Sequence, residues 1–300
     1  MSYVLFLLLG LFWSASFIFI KITVLVLPPI LSALLRVVVA QITFSLFFVV
    51  MRHRLQVPFA SIWRLWIIGI FLQGIPFLLL FIGECYVAPA LASIINGTVA
   101  IWVLCFSILI FRDYSQVTLP KLSGLALGVL GVLFIFIPMV QAGTHTKAIG
   151  VLAITGMAMS YGIGALLNQH FCKCKYKVGI QASLWHQHWG SLMFLLTATL
   201  LFEPHINLGP LFHNPHVLLA LLYLGVCSTA VAWFIYCYLI ENWGAVRASS
   251  VLYIVPILTI IWDILFLHLV PTLNEIYGII IILLGVALIQ FTKKRIKPKI

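Results

Sequence analysis

The chain has 300 residues, of which 64% are hydrophobic and only 8% are charged, and its formal net charge is +11. Its mean hydropathy is +1.20. A soluble globular protein averages roughly 25% charged residues, so this chain has too few charges to cover a water-facing surface. The basic residues are dispersed over short segments, which argues against nucleic-acid binding. These properties favour an integral membrane protein surrounded by lipid.

Apolar segments recur along the whole chain, and each is long enough to cross a bilayer core of about 30 Å. Long unbroken apolar runs predict helices, not the alternating strands of a membrane barrel. The first segment has no charged start and no small-residue cleavage site, so we expect a retained helix and not a signal peptide. We predict ten transmembrane spans, at residues 3–22, 29–50, 64–86, 88–111, 121–140, 149–168, 181–202, 216–240, 245–267 and 271–292.

Positive charges are distributed unevenly between the two sides of this predicted bundle. If the N-terminus is cytoplasmic, 14 of the 17 Lys and Arg residues fall on the cytoplasmic side. Two, Lys21 and Lys147, fall on the outer side, and Arg36 lies inside a span. This bias predicts that both termini are cytoplasmic and that residues 293–300 form a basic cytoplasmic tail.

The two halves of the chain carry the same pattern of small residues. Shifts of 156 and 154 residues align Gly69 with Gly225, Ala92-Ser93 with Ala248-Ser249, Gly124 with Gly278, and Gly131-Val132 with Gly285-Val286. Because each half holds five predicted helices, an odd number, the second half enters the membrane inverted relative to the first. We therefore predict an all-α fold of two inverted five-helix repeats, at 1–140 and 149–292. Ten unrelated helices remain the alternative.

Several motifs, in order, resemble the ten-helix EamA-type branch of the drug/metabolite transporter superfamily. They are LFWSASFIFIK (11–21), LRVVVA (35–40), APALASII (88–95) with SGLALGVLGVLFI (123–135), and GAVRASSVLYIVPIL (244–258) with YGIIIILLGVALI (277–289). The similarity covers nearly the whole chain. It implies a carrier in the bacterial inner membrane for small metabolites, often an exporter of amino acids or their relatives.

A secondary transporter that works by alternating access, without a cofactor, is the favoured function. The sequence has no P-loop, no H-E-x-x-H and no G-x-S-x-G motif, so ATP-driven transport and the common hydrolases lack support. Uptake or exchange of a nucleotide-like metabolite such as S-adenosylmethionine is the alternative, since some relatives do that. An intramembrane enzyme, a channel and a scaffold are more distant alternatives. Coupling to a proton, and a monomeric or homodimeric state, stay open.

Polar and aromatic residues inside the spans are candidates for a substrate site, because polar groups are costly in lipid and usually face a cavity. A small-molecule pocket needs apolar and aromatic walls with a few polar groups. Close helix packing or interfacial anchoring is the alternative role for such residues. The candidate substrate-binding residues are Trp13, Ser16, Gln73, Asn96, Trp102, Tyr161, Thr229, Trp233 and Tyr253.

Arg36 and Asp263 are charged residues that we place in the outer half of the membrane. We predict that they are linked, directly or through water, as part of an outer gate. The alternative is that Arg36 snorkels outward and Asp263 is solvated separately. Glu84 lies near a span end, where we expect it to be solvated.

His186 and His188 are candidates for proton coupling or for hydrogen bonding in a vestibule. The two residues lie roughly 200° apart on a helix, so they do not easily share one metal ion. We predict no metal site.

Overall fold

The computed structural model describes residues 2–51, 57–110, 112, 118–141, 145–173, 179–243, 251–269 and 271–291. Within these ranges the structure is helical and contains no strand, which confirms the all-α prediction. The α-helices are α1 (Ser2–Val24), α2 (Pro29–Val50), α3 (Phe59–Gly69), α4 (Ile75–Glu84), α5 (Pro89–Asn96), α6 (Val99–Leu109), α7 (Leu119–Gln141), α8 (His145–Lys173), α9 (Ile180–Phe202), α10 (Gly209–His213), α11 (Pro215–Leu222), α12 (Ala232–Trp243), α13 (Val251–Trp262) and α14 (Leu273–Phe291).

Among the described residues, six helical segments are long and apolar enough to cross a bilayer core by length and composition. They are Ser2–Val24, Pro29–Val50, Phe59–Glu84, Pro89–Leu109, Lys147–Phe171 and Pro215–Leu239. The outside of the bundle is apolar as well as its inside. On α2, for example, Leu46 and Val50 are exposed while Val37 and Phe44 are buried. This distribution suits a lipid environment, where both faces of a helix are apolar.

In the described part of the chain, three π-helical segments interrupt the regular helices. They are Ile70–Gly74 between α3 and α4, Tyr223–Val231 between α11 and α12, and Asp263–Leu267 after α13. A proline accounts for the first. Pro76 has no backbone N–H, so the carbonyl group of Leu72 loses its α-helical donor, and the hydrogen-bonding pattern changes there. Single π-helical turns often occur at functional sites.

Helices α7 and α14 approach each other closely at glycines. A Cβ atom at Gly131 would lie 3.0 Å from the carbonyl oxygen of Gly278, and one at Gly285 would lie 2.6 Å from that of Gly124. The contact therefore joins the first part of α7 to the last part of α14, and the two helices run antiparallel. A side chain larger than hydrogen would push them apart, so the glycines set the distance between these helices.

A second pair of close approaches also involves glycines from both halves. A Cβ atom at Gly69 of α3 would collide with the backbone carbonyl group of Gln187 on α9. One at Gly225, in the segment Tyr223–Val231, would lie 2.5 Å from Cβ of Val39 and 3.0 Å from the amide nitrogen of Ala40 on α2. These contacts hold α9 against α3 and hold α2 against the segment Tyr223–Val231.

The largest core cluster joins side chains of α1, α2, α4, α5, α8 and α13. Among its members, Phe17, Phe77, Leu80, Met157 and Val255 also form part of the wall of a central cavity. Part of the main buried core therefore forms the wall of this cavity.

Candidate functional site

A central cavity of about 190 Å³ lies between helices from both halves of the chain. Its apolar and aromatic wall comes from Trp13, Phe17, Phe77, Leu80, Val99, Met157, Trp233, Tyr236, Leu252 and Val255. Its polar lining consists of Ser16, Arg36, Asn96, Tyr161 and Ser228. An apolar wall with a few convergent polar groups is the usual composition of a small-molecule site.

Arg36 is the charged residue of this cavity, and its side chain is only 5% exposed. Its Nε donates a hydrogen bond to Oγ1 of Thr229 at 3.0 Å, and its Nη2 donates one to Oγ of Ser228 at 3.2 Å. Its guanidinium carbon lies 4.1 Å from the centre of the Phe77 ring. Neutral hydroxyls and a ring orient this cation without neutralising it, and within the described residues no carboxylate forms an ion pair with it.

The segment Tyr223–Val231 positions the two hydroxyls that hold Arg36. Oγ1 of Thr229 also donates to the carbonyl group of Leu224, five residues earlier, at 2.7 Å. The π-helical spacing brings that carbonyl group within reach, and the bond leaves the lone pairs of Thr229 free to accept from Arg36. The interruption of this helix thus prepares the guanidinium site.

Three aromatic rings form one side of the cavity. The ring centroid of Trp13 lies 5.3 Å from that of Tyr236 and 6.4 Å from that of Trp233, and the Trp233 and Tyr236 centroids are 5.8 Å apart. The tilted and edge-to-face geometry is typical of stabilising aromatic pairs. α1 therefore meets α12 through rings that also face the cavity.

The structure brings five of the predicted substrate-binding residues to this cavity, together with Arg36, which we predicted as a gate residue. The five are Trp13, Ser16, Asn96, Tyr161 and Trp233. Thr229 lies directly behind the cavity, bound to Arg36. Ser228 and Tyr236 also line the cavity but were not among the residues predicted from the sequence. Both had a local signal, because Ser228 precedes a candidate and Tyr236 lies one helical turn after Trp233. The binding role of the residues that the sequence predicted stays a prediction.

Two other candidates lie away from the cavity wall. Gln73 is fully buried in the segment Ile70–Gly74, and its amide atoms have no hydrogen-bond partner in the described part of the chain. Nε1 of Trp102 donates to Oγ1 of Thr98 at 3.2 Å, and its ring stacks on Phe106 with centroids 6.0 Å apart. Tyr253 belongs to α13, but its side chain lies outside the described residues.

The two histidines of α9 have different surroundings. His188 is buried, its ring centroid lies 4.6 Å from that of Phe44, and its nitrogens have no hydrogen-bond partner among the residues described. His186 is partly exposed, with its ring 5.0 Å from that of Trp185. The described ranges contain no cluster of His, Cys, Asp and Glu able to hold a metal ion.

Among the side chains that the structure describes, three carboxylic acids, Glu84, Glu203 and Asp263, lie at one end of the bundle, which we call the acidic end. Two of them bind the start of a helix from the other half of the chain. Oδ2 of Asp263 accepts from the amide of Ala90 at 2.8 Å, and Glu203 accepts from the amides of Ile30 and Leu31 at 3.1 and 2.8 Å. Carboxylates stabilise helix N-termini, where amide groups lack intrahelical partners.

Arg36 and Asp263 are both largely buried. Arg36 is only 5% exposed, so it does not snorkel outward. Asp263 is 1% exposed and lines a second cavity, and a link between the two residues through water stays a prediction. Their hydrogen bonds go to other groups, Asp263 to Ala90 and Arg36 to Ser228 and Thr229. The described contacts therefore include no direct link between the two charges.

The expectation that Glu84 is solvated is wrong. Its side chain is 0% exposed, and both carboxyl oxygens are buried without a hydrogen-bond partner in the described ranges. The helix does end at this residue, but α1 covers the end. Nζ of Lys21 donates to the carbonyl groups of Glu84 and Val87 at 2.6 and 3.2 Å. A position at the end of an apolar run gave no sign of this cover.

The model of the EamA-like transporter family matches the chain in two segments, residues 1–137 and 148–291. The chain belongs to the EamA-like transporter family. This result confirms the resemblance found in the motifs, and it makes the apolar helices those of a membrane protein. The family and its relatives are named as transporters and not as enzymes.

Relatives of this EamA-like chain share about a quarter of its residues over nearly its full length. "Uncharacterized transporter YoaV" of Bacillus subtilis is 26% identical over 288 residues, covering 96% of each chain. A "Probable amino-acid metabolite efflux pump" of Salmonella typhimurium is 25% identical over 276 residues, covering 91% of this chain and 89% of the pump. A solved crystal structure with 16% identity aligns with a TM-score of 0.63 over 96% of this chain and 95% of that one, and so shares the fold.

Proposed function

We propose that this EamA-like transporter is a secondary carrier that exports amino acids or related small metabolites across the bacterial inner membrane, with the central cavity as its substrate site. The observation that carries the proposal is the buried Arg36, oriented by Ser228 and Thr229 and exposed to a cavity with aromatic walls. The similarity to a pump named for amino-acid metabolites supports the same class of substrate.

Arg36 favours a substrate that carries a carboxylate. An arginine keeps its charge, and its planar group binds a carboxylate through two parallel hydrogen bonds. The described hydrogen bonds of Arg36 use Nε and Nη2, and none uses Nη1. A substrate carboxylate at Nη1 would neutralise the buried cation, and Oγ of Ser228 lies close enough to Arg36 to contribute a further hydrogen bond.

The remaining wall favours a small substrate with an apolar or aromatic side chain. The cavity volume of about 190 Å³ lies below the range of roughly 300–1,000 Å³ for sites that hold drug-sized ligands. Trp13, Trp233 and Tyr236 present rings on which an apolar group packs. Size and charge together favour an amino acid over S-adenosylmethionine, which is larger and carries a sulfonium.

Alternating access in our proposal rests on ten spans arranged as two inverted repeats. The glycine contacts support this plan because they are reciprocal: Gly131 meets Gly278, and Gly285 meets Gly124. The 154-residue shift makes Gly131 equivalent to Gly285 and Gly124 equivalent to Gly278, so it turns one contact into the other. A two-fold relation between repeats produces reciprocal contacts of this kind. The match of the family model in two segments, 1–137 and 148–291, supports two units as well.

The acidic end is the outer gate of the proposed carrier, with both termini in the cytoplasm. The positive-inside bias of the sequence supports this orientation, since it places Lys21 and Lys147 outside. Asp263 and Glu203 each join one half of the chain to the other, through Ala90 and through Ile30 with Leu31. These bonds hold the end closed, and they must break when the halves separate. Substrate binding at Arg36 is a separate event nearer the centre.

Thermal stability of the purified protein in detergent tests the substrate class. A ligand that binds the folded state raises the melting temperature in proportion to its affinity and concentration. We expect L-phenylalanine or L-leucine to stabilise the protein, and their decarboxylated counterparts, phenethylamine and isoamylamine, to have no effect. Stabilisation by S-adenosylmethionine or nucleosides, with none from amino acids, would contradict the proposal.

A further inference from the structure

The carboxyl group of Glu84 is buried in an unusual way, and the proposed transport cycle leaves it without a role. It ends α4 at the acidic end, it is 0% exposed, and neither oxygen has a hydrogen-bond partner among the described residues. A carboxylate that is buried without hydrogen-bond partners is strongly disfavoured in a protein interior, and such groups take up a proton instead. The burial of Glu84 therefore favours its neutral form while the end is closed.

Lys21 acts on this carboxyl group electrostatically but makes no ion pair with it in the described part of the chain. Nζ of Lys21 on α1 instead donates hydrogen bonds to the backbone carbonyl oxygens of Glu84 and Val87, at the C-terminal end of α4. A cation at a helix C-terminus is favourable because the free carbonyl groups there carry partial negative charge. Lys21 thus fastens α1 over Glu84 through the backbone, and the side-chain carboxyl group lies beneath the cover.

The charged groups around Glu84 come from several elements. Lys21 on α1, Arg36 on α2 and Asp263 after α13 act on it electrostatically. Helix α8 adds Lys147, which lines a second cavity of about 150 Å³ together with Asp263 and the residues that follow Glu84. Glu203, which follows α9, is already bound to Ile30 and Leu31. Two lysines, one arginine and two further acids are thus the described charged groups on the elements around Glu84.

We propose that Glu84 is the proton-binding site of the carrier: it holds a proton while the acidic end is closed and releases it to the outer solution when the end opens. This inference rests on the proposed function. Opening moves α1 away from α4, so Lys21 leaves the two carbonyl groups and water reaches the carboxyl group. The O–H bond of Glu84 then breaks, the proton passes to water, and the carboxylate is left beside Lys21 as its counter-ion. Closing needs the proton back, because the carboxylate would otherwise be buried unpaired.

Infrared spectroscopy of the full chain in lipid tests this assignment without any substrate. We expect the absorption band of a protonated carboxyl group at neutral pH in the wild type and in Glu203→Gln, the matched control at the same end. The band should be absent in Glu84→Gln. A wild-type spectrum without this band, or a band that persists in Glu84→Gln, would overturn the proposal.

The stability of the variants gives a second, independent test. Since Glu84 is neutral in the closed form, Glu84→Gln and Glu84→Met should fold and melt within a few degrees of the wild type at neutral pH. A loss of folding in both variants would mean that an ionised carboxylate holds the end together through Lys21, which contradicts the proposal.

Proton movement in proteoliposomes then separates this inference from the proposed function. An equimolar mixture of the protein amino acids, added to vesicles that contain a pH-sensitive dye, should change the internal pH with the wild type and with Glu241→Gln, a control that removes a carboxyl group of α12. With Glu84→Gln, exchange of labelled amino acids should persist while the pH change is lost. Exchange with an unaltered pH change in Glu84→Gln would overturn the role of Glu84 alone, whereas no exchange by the wild type would overturn the proposed function.

Discussion

Replacing Arg36 by glutamine should remove the carboxylate-binding group and leave the cavity otherwise similar in shape. The glutamine side chain has a hydrogen-bond donor but no charge, and it is too short to reach both Ser228 and Thr229 as the guanidinium does. A hydrogen bond to a charged group contributes about 1.5–3 kcal/mol, so the affinity for an amino acid should fall about 10- to 150-fold.

The loss should be specific for ligands that carry a carboxylate. We expect Arg36→Gln to weaken L-phenylalanine and to leave phenethylamine unchanged, as measured by thermal shift and by tryptophan fluorescence titration. Arg36→Lys keeps the charge but not the planar fork, so its affinity should be intermediate. Arg64→Gln is the matched control, because Arg64 lies outside the cavity with its guanidinium carbon 5.4 Å from the Trp63 ring centre.

Equal affinity of the wild type and Arg36→Gln for L-phenylalanine would show that Arg36 does not bind the substrate carboxylate. So would an equal loss for phenylalanine and phenethylamine, because that pattern would mean that the arginine shapes the wall and does not bind the carboxylate. A fall in melting temperature without ligand must be measured for each variant, so that a loss of stability is not counted as a loss of affinity.

Three further predictions concern stability and orientation. Glu203→Gln should lower the melting temperature, with a loss of about 1 kcal/mol, because the amides of Ile30 and Leu31 lose their charged acceptor; an unchanged melting curve would contradict this role. Gly131→Leu and Gly285→Leu should each destabilise the protein by about 1–3 kcal/mol or more through overpacking of α7 and α14. Gly156→Ala is their control, since its Cβ would lie 3.2 Å from the flexible end of Leu79, and equal melting of all three would count against the close contact. In a cysteine-free background, Lys147→Cys should react with an impermeant maleimide on intact cells and Arg64→Cys only after permeabilisation, and the reverse pattern would overturn the orientation.

The helices followed from composition because lipid leaves the backbone few choices. A run such as residues 29–50 is mostly apolar and begins at Pro28 and Pro29, so the start of its helix is determined locally. The π-helical segments were not predictable in this way. Pro76 marks the first, but Tyr223–Val231 contains no proline, and its close approach to Val39 and Ala40 of α2 at Gly225 is visible only in the packed structure.

The candidate site was predicted in its parts but not in its arrangement. Trp13, Asn96 and Trp233 stood out as polar or aromatic residues within apolar helices, and the structure brings them to one cavity. The contacts of Arg36 were harder to predict, because the depth of a residue along one helix does not show which neighbouring helix faces it. Its partners, Ser228 and Thr229, come from a helix about 190 residues later in the chain.

Glu84 shows the same limit for a charge near a helix end. Counting residues along the third predicted span puts it near the membrane surface, where water is expected. Its burial depends on α1, which crosses the end of α4 and is fastened there by Lys21. Such a cover is a property of the packed bundle, and periodicity within one helix carries no information about it.

Counterflow in proteoliposomes is the most direct test of whether the protein is a carrier that exchanges amino acids. Vesicles that contain the purified full chain are loaded with an unlabelled amino-acid mixture and then exposed to a trace of the same mixture in radiolabelled form. The account predicts rapid, transient accumulation of label in wild-type vesicles, and a much smaller signal with Arg36→Gln. Uptake that is independent of the internal amino acids, or equal to that of protein-free vesicles, would contradict it.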